Sequence, residues 1–215
     1  PDEKGRIKFQ YRDHSAELLN QYRPNLYYGG IYFIKKHDYL RAYDFFNTYI
    51  DCSANPLFAK YKYASRDKNL PQAAYWAVYC GYKLKDPQAT LRHTYLALKD
   101  TAHTNLMLQY LAETYKLEND TVRYVKTLWD GFDKYPTFSF FFPRLIDNYV
   151  QLNQYEEALK ICDTALKSDS ASVVFRYAKS SVLLLQGKYS DCLDICKRLI
   201  AQNDSLADAH LNAGL

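Results

Sequence analysis

At 215 residues the chain is long enough for a continuous core, and 48% hydrophobic residues are ample to fill one. Seven glycines and seven prolines are too few for a β-sandwich full of tight turns, so an all-α fold is predicted. A net charge of +4, from 28 basic and 24 acidic residues with no long block of either sign, lends nucleic-acid binding no support.

The chain opens on a mildly basic head, Lys4, Arg6, Lys8 and Arg12, which is expected to fray. Ser15-Ala-Glu-Leu-Leu then predicts a short helix capped by Ser15 within an N-terminal segment 1–22. Beyond it, apolar helical stretches alternate with short polar breaks. Asn119, Asn153 and Gly187 sit in three of these breaks, spaced by 34 residues and then 34 again, the period of a helix-hairpin repeat. Helices often end on a residue in the left-handed conformation, which Gly and, to a lesser degree, Asn adopt cheaply. Three breaks in register therefore predict three copies of one turn.

Counting the break as position 15 extends the register both ways. Unit 23–56 has Leu26, Gly30, Phe33, Tyr39, Ala42 and Phe46, with His37 at the turn. Residues 57–70 form an insertion of 14 residues. Unit 71–104 is a weaker copy, in which Ala74, Ala77 and Ala97 fit but Pro87 and Thr90 do not. Unit 105–138 has Leu108, Leu111, Ala112, Tyr115, Leu128, Gly131 and Pro136. Unit 139–172 carries the pattern best, through Phe142, Leu145, Tyr149, Tyr155, Ala158, Cys162 and Ala165, with Pro143 expected to delay its first helix. Unit 173–206 has Gln186-Gly187-Lys188-Tyr189, Cys192, Cys196 and Leu199. Residues 207–215 read as the start of a sixth unit cut before its turn. That ending suggests a longer protein, with the missing part C-terminal. It also suggests an uncovered apolar end near Leu199, Leu206 and Leu211 that could self-associate.

In this register, residues 23–215 resemble the tetratricopeptide repeat family. The resemblance implies a right-handed α-α superhelix, or solenoid, of about five hairpins, with the first helix of each pair lining a concave face. Besides Pro87 and Thr90, three residues depart from the family's pattern. Tyr124 replaces an alanine, and Arg176 and Lys179 stand where bulky apolar residues are usual, so that the inward face of their helix is predicted to rotate toward Phe175, Ala178 and Val182.

The five cysteines, an odd number, do not suggest a disulfide framework. Cys192 and Cys196 lie four apart on one helix face, but Cys162 occupies the same repeat position as Cys196 and no histidine is near, so core packing is predicted over a metal site. No phosphate-cradling glycine loop, metalloprotease motif or nucleophile elbow is present, and the five histidines are scattered. Candidate acids such as Asp130, Asp133, Glu156 and Glu157 fall on second helices or beside turns, which the resemblance turns outward. No enzymatic activity, cofactor or metal is expected. No apolar run approaches the ~20 residues needed to span a bilayer, so direct membrane insertion is not expected. The compartment stays open, cytoplasmic or exported after removal of a leader.

What remains is the ligand face that the resemblance implies. Read at the family's contact positions, it offers Tyr27, Lys35, Tyr75, Tyr79, Tyr82, Lys83, Gln109, Glu113, Asp147 and Tyr177 as peptide-binding residues. Tyr75, Tyr79 and Tyr82 share one helix face and would supply aromatic contacts, with Trp76 turned toward the core. The lysine-asparagine clamp by which some relatives hold C-terminal carboxylates is missing, since the lysine position reads Tyr27, Tyr75, Gln109, Pro143 and Tyr177. The function implied is a non-catalytic scaffold for a peptide or partner protein. Two alternatives stand beside it: a sensory or targeting module of a larger enzyme or regulator, and a carbohydrate-binding repeat.

Overall fold

A computed structural model describes residues 11–215, so the basic head at Lys4, Arg6 and Lys8 lies outside the described residues. The described residues form helices and turns and no strand. In order they are α1 (Arg12–Lys35), α2 (Tyr39–Asp51), α3 (Tyr63–Arg66), α4 (Leu70–Leu84), α5 (Pro87–Arg92), α6 (Thr94–Ala97), α7 (Thr104–Leu117), α8 (Thr121–Lys134), α9 (Phe141–Gln151), α10 (Tyr155–Ser168), α11 (Val173–Leu185), α12 (Tyr189–Gln202) and α13 (Ala207–Gly214). They belong to two compact units, Pro1–Asn119 and Asp120–Leu215, and the division falls at the turn of register unit 105–138.

All five register turns have the backbone that the register demands. His37, Lys85, Asn119, Asn153 and Gly187 have φ of 58°, 55°, 58°, 55° and 79°. At four of these turns the following N–H reaches back over the helix end: Asp38 to the Phe33 carbonyl at 3.0 Å, Asp86 to Gly81 at 3.0 Å, Gln154 to Tyr149 at 2.8 Å and Lys188 to Leu183 at 2.9 Å. These bonds satisfy carbonyls that the helix itself leaves open. Asp38, Asp86 and Asp120 then cap the next helix, accepting from the N–H groups of Arg41, Ala89 and Arg123 at 3.1, 3.1 and 2.9 Å.

In the first unit, small residues set how closely helices approach. A Cβ on Gly30 would stand 2.6 Å from the Phe46 ring, and Ala42, Phe46, Ala74 and Ala77 are closed to solvent around that contact. Gly81 of α4 lies against the backbone of Ala89 and Thr90 in α5, where a Cβ would come within 2.7 Å of the Ala89 carbonyl carbon. This approach shapes the weak repeat. Its second helix is interrupted at His93, whose Nε2 meets Asn47 Oδ1 at 2.7 Å, leaving two short helices in place of one. Thr90, which does not fit the repeat pattern, is fully buried and its hydroxyl donates to the Asp86 carbonyl at 2.7 Å.

The N-terminal expectation needs correcting. Ser15 caps nothing, because it lies inside α1, a single 24-residue helix that runs through the expected boundary at 22–23 and through Pro24. The insertion is docked rather than loose. Arg23 of α1 sits between the rings of Tyr49 and Tyr63, 3.8 Å from each centroid. Its Nη1 pairs with Asp67 at 2.7 Å, with both side chains at least 90% buried, and its Nη2 donates to the Tyr49 carbonyl at 3.2 Å. The Tyr49 hydroxyl completes the clasp by donating to Asp67 at 2.7 Å, and the Tyr63 hydroxyl donates to Asn20. Burial, together with the bond to Asp67, pushes the Tyr49 phenol well above its ordinary range.

The second unit keeps the register more strictly. Gly131 lies against the Phe141 ring, and Leu128, Phe132, Phe141, Leu145, Cys162, Cys196 and Leu199 form its core. Pro143 falls in the first turn of α9, which starts at Phe141. The rotation expected in α11 is present in part: Phe175 and Val182 are buried but Ala178 is only half-buried, while Lys179 pairs with Asp163 at 2.6 Å and Arg176 binds the Ser170 carbonyl. The C-terminal expectation changes in part, since Leu199 is fully buried and Leu211 is 60% exposed. α13 is pinned by Asn212, whose Nδ2 donates to the hydroxyls of Ser180 and Ser181 at 3.3 and 2.9 Å.

Gly81→Ala is expected to destabilise the first unit by about 1–3 kcal/mol, because its neighbour is backbone and cannot turn aside. Gly214→Ala, with open space around it, should change little; urea unfolding of the two variants checks the contrast. Arg23→Met is expected to cost about 3–5 kcal/mol by leaving Asp67 buried without its counter-ion. In hydrogen exchange it should lower the protection of residues 57–70 first, with Asp67→Asn on the same chain restoring part of the loss.

Candidate binding groove

The predicted tyrosine face exists, but a neighbouring helix covers much of it. Tyr75 is 4% exposed and stacks on His103 at 4.3 Å, so its ring is part of the core and not of the surface. Burial raises its phenol above the usual range. Tyr79 is half-buried, meeting Tyr39 at 5.8 Å and Tyr110 of α7 at 5.7 Å. Tyr82, also half-buried, stacks on Tyr110 at 4.6 Å and 24°. Trp76 is half-buried and packs edge-on against Tyr75 and Tyr79, in agreement with its predicted turn toward the core. The correction has a simple cause. Residues spaced by four and three share a face, but spacing does not say which helix lies against that face.

What stays open is the end of this wall. Tyr82 and Lys83 at the end of α4, Glu113, Thr114 and Lys116 of α7, and Lys85, Asp86 and Thr90 around the turn into α5 line a groove of about 630 Å³. The Lys83 ammonium lies 5.4 Å from the Tyr79 centroid and 5.8 Å from that of Tyr82. Most of the other polar groups are engaged by the chain itself. The Thr90 hydroxyl donates to the Asp86 carbonyl and that of Thr114 to the Tyr110 carbonyl, both at 2.7 Å, while Asp86 caps α5. The groove therefore offers ammonium groups and an aromatic wall, which suits recognition of a charged, partly apolar surface.

Of the ten residues predicted for the ligand face, this groove brings together Tyr82, Lys83 and Glu113. Tyr27 is half-buried among Phe46 and Tyr49 and donates its hydroxyl to Gln72 at 2.5 Å. Lys35 is exposed at the end of α1, and Gln109 is half-buried on α7. Asp147, exposed on α9, and Tyr177, half-buried on α11, belong to the second unit. Lys85, Asp86 and Thr90 escaped the sequence reading because they lie at or past the turn, outside the first-helix positions. The signal for Lys85 was available, since a lysine stands where the other repeats have asparagine, glycine or histidine.

The cysteines pack as predicted. Cys162 and Cys196 are fully buried, and Cys192 Sγ lies 3.9 Å from Cys196 Sγ. Burial pushes the Cys162 thiol up to about 12 and the Cys192 thiol up to about 11, so neither offers a thiolate near neutral pH. Among the described residues no group of three or more His, Cys, Asp or Glu side chains is placed to hold a metal ion, and no helix is long and apolar enough to cross a membrane.

No protein-family model matches the sequence, and no curated protein is detectably similar to it. Solved structures are more informative. A tetratricopeptide repeat protein from Parabacteroides merdae is similar over 90% of this chain and 71% of its own, with a TM-score of 0.62 and 17% identity. The fold is tetratricopeptide-like. A thermophilic tetratricopeptide protein of Thermus thermophilus aligns over 89% of this chain and 97% of its own at 17% identity, with a TM-score of 0.44. The tetratricopeptide domain of P58(IPK) aligns over 98% and 69% at 14% identity, with a TM-score of 0.39. In tetratricopeptide terms, the groove lies at the turn edge of the second and third repeats, beside the expected ligand face.

The aromatic cluster also makes a pH prediction. Burial pushes the Tyr79 phenol up to about 12, with the neighbouring Tyr39 hydroxyl adding to the effect. An unfolded tyrosine titrates near ~10. Between these values the unfolded chain has released a proton that the folded chain keeps, so the contribution is intact below the lower value and is lost as pH rises toward the upper one. Unfolding followed from pH 9 to 12 should show falling stability over that window, and Tyr79→Phe should make the fall shallower.

Proposed function

We propose that the chain is a non-catalytic interaction scaffold that binds a peptide segment or partner protein on the first-helix face and turn edge of its repeats. The observation that carries this reading is the groove walled by Tyr82 and edged by Lys83, Lys85 and Lys116, at a place where most other polar groups are tied into the fold. Tyr79, Tyr82 and Lys83 are the central contacts. Tyr27, Lys35, Gln109 and Glu113 are further contacts on the first unit, and Asp147 and Tyr177 are contacts that the second unit offers separately. A rigid ring braced by a second ring loses little freedom on binding, which favours tyrosine as an anchor.

The same face would serve equally in a recognition module of a larger enzyme or regulator. Carbohydrate capture is less well supported, because Tyr82 has one face stacked on Tyr110 and Tyr79 packs against three other aromatic rings.

Replacing both Tyr79 and Tyr82 with alanine is expected to weaken partner binding at least ~30-fold, at about 1–3 kcal/mol for each anchor lost. Affinity capture from native extract, comparing wild type with this variant after circular dichroism has shown both to be folded, reads the effect. Equal capture by both would move the site off this face.

A further inference from the structure

Lys85 occupies the left-handed turn position with φ of 55°, where the second unit uses Asn153 and Gly187. A side chain with a Cβ costs roughly 1–2 kcal/mol there, and asparagine recovers part of that through local hydrogen bonds. His37, at the same position of the first repeat, has a local partner, since its Nδ1 meets the Tyr39 hydroxyl at 3.1 Å. Lys85 has none: among the described residues no carboxylate lies within ion-pair distance of its ammonium and no ring lies beneath it. Lysine near a helix C-terminus does complement the helix dipole, but Lys83 already supplies that cation to α4. Lys85 therefore strains the backbone to place an uncompensated charge in the groove.

The surrounding charge points the same way. The last turns of the first helices in this unit end on Lys35-Lys36, Lys83 and Lys116, whereas the corresponding ends in the second unit read Gln151-Leu152 and Leu185-Gln186. Within the groove, Lys116 and Glu113 already have partners in the chain and Asp86 is held as a helix cap, which leaves Lys83 and Lys85 as the ammonium groups it presents. We infer that the groove takes an acidic peptide segment of a partner protein, with Lys83 and Lys85 meeting its carboxylates and Tyr82 meeting an adjoining apolar or aromatic side chain. The inference rests on the scaffold reading above and specifies its ligand.

The test is an array of immobilised peptides in matched pairs, each acidic sequence beside its amide twin with Gln for Glu and Asn for Asp. It is probed with wild type, Lys85→Asn, Lys85→Arg and Tyr82→Ala, each with a melting curve. Wild type is expected to hold acidic members about tenfold more tightly than their amide twins, with a preference that shrinks as salt rises. Lys85→Asn should melt at a higher temperature than wild type yet bind the acidic members severalfold more weakly, and Lys85→Arg should bind like wild type. A variant that gains stability while losing affinity excludes misfolding as the cause. If wild type holds both members of each pair equally and Tyr82→Ala still abolishes binding, the acidic ligand is overturned and the peptide-binding face stands. If no peptide is held in a way that depends on Tyr82, both readings fall.

Discussion

Each first helix of this protein must stop, and it stops on one residue in the left-handed conformation. That residue lets the next N–H turn back and bond a carbonyl near the helix end, as Asp38 does to Phe33 and Gln154 to Tyr149. The reversal delivers the chain to an N-cap at a fixed angle, so the second helix returns along the first. Everything built on the hairpins follows from this constraint, including the placement of Gly30 against Phe46 and of Gly131 against Phe141.

The first unit accommodates two departures from the repeat, both through specific contacts. In its second hairpin, Gly81 lets α4 press on the backbone of α5, and the returning chain breaks at His93 instead of running as one helix. Between its hairpins, the insertion is held by a guanidinium sandwiched between two tyrosines and paired with a buried carboxylate. Taking both charges out of water is costly, and the geometry offsets the cost: two rings cover the faces of the guanidinium, while a carboxylate and a carbonyl meet its edge. The clasp gives the insertion a defined docking position.

The groove arises from the same two features. α7 lies over α4, so Tyr110 covers Tyr75 and braces Tyr82, and the short α5 leaves room beside the end of α4. Beside this wall the hydroxyls of Thr90 and Thr114 are bonded to backbone carbonyls and the carboxylate of Asp86 serves as a cap, so the groove presents mainly braced aromatic rings and lysines. The role proposed for Lys85 extends this logic to a single residue whose backbone cost has no return inside the chain.

Much of the fold was legible in the linear chain because the turn requirement is local. Residue type at one position in 34 identified Asn119, Asn153 and Gly187, and counting from them found His37, while Lys85, in the same backbone state, went unremarked. The inward positions of the second unit, the burial of Cys162 and Cys196, and the rotated face of α11 followed from apolar spacing along single helices. The candidate site was legible only in part. Lys83 and Tyr82 came from the register, but the exposure of Tyr75 depended on α7 lying over α4, and the docking of the insertion depended on Arg23 meeting Tyr63 and Asp67. The sequence by itself determined the period, the turns and the face of each helix, because these depend on neighbours within a few residues. Only the tertiary structure decided which faces are covered and where a groove stays open, because those depend on residues brought together from distant parts of the chain.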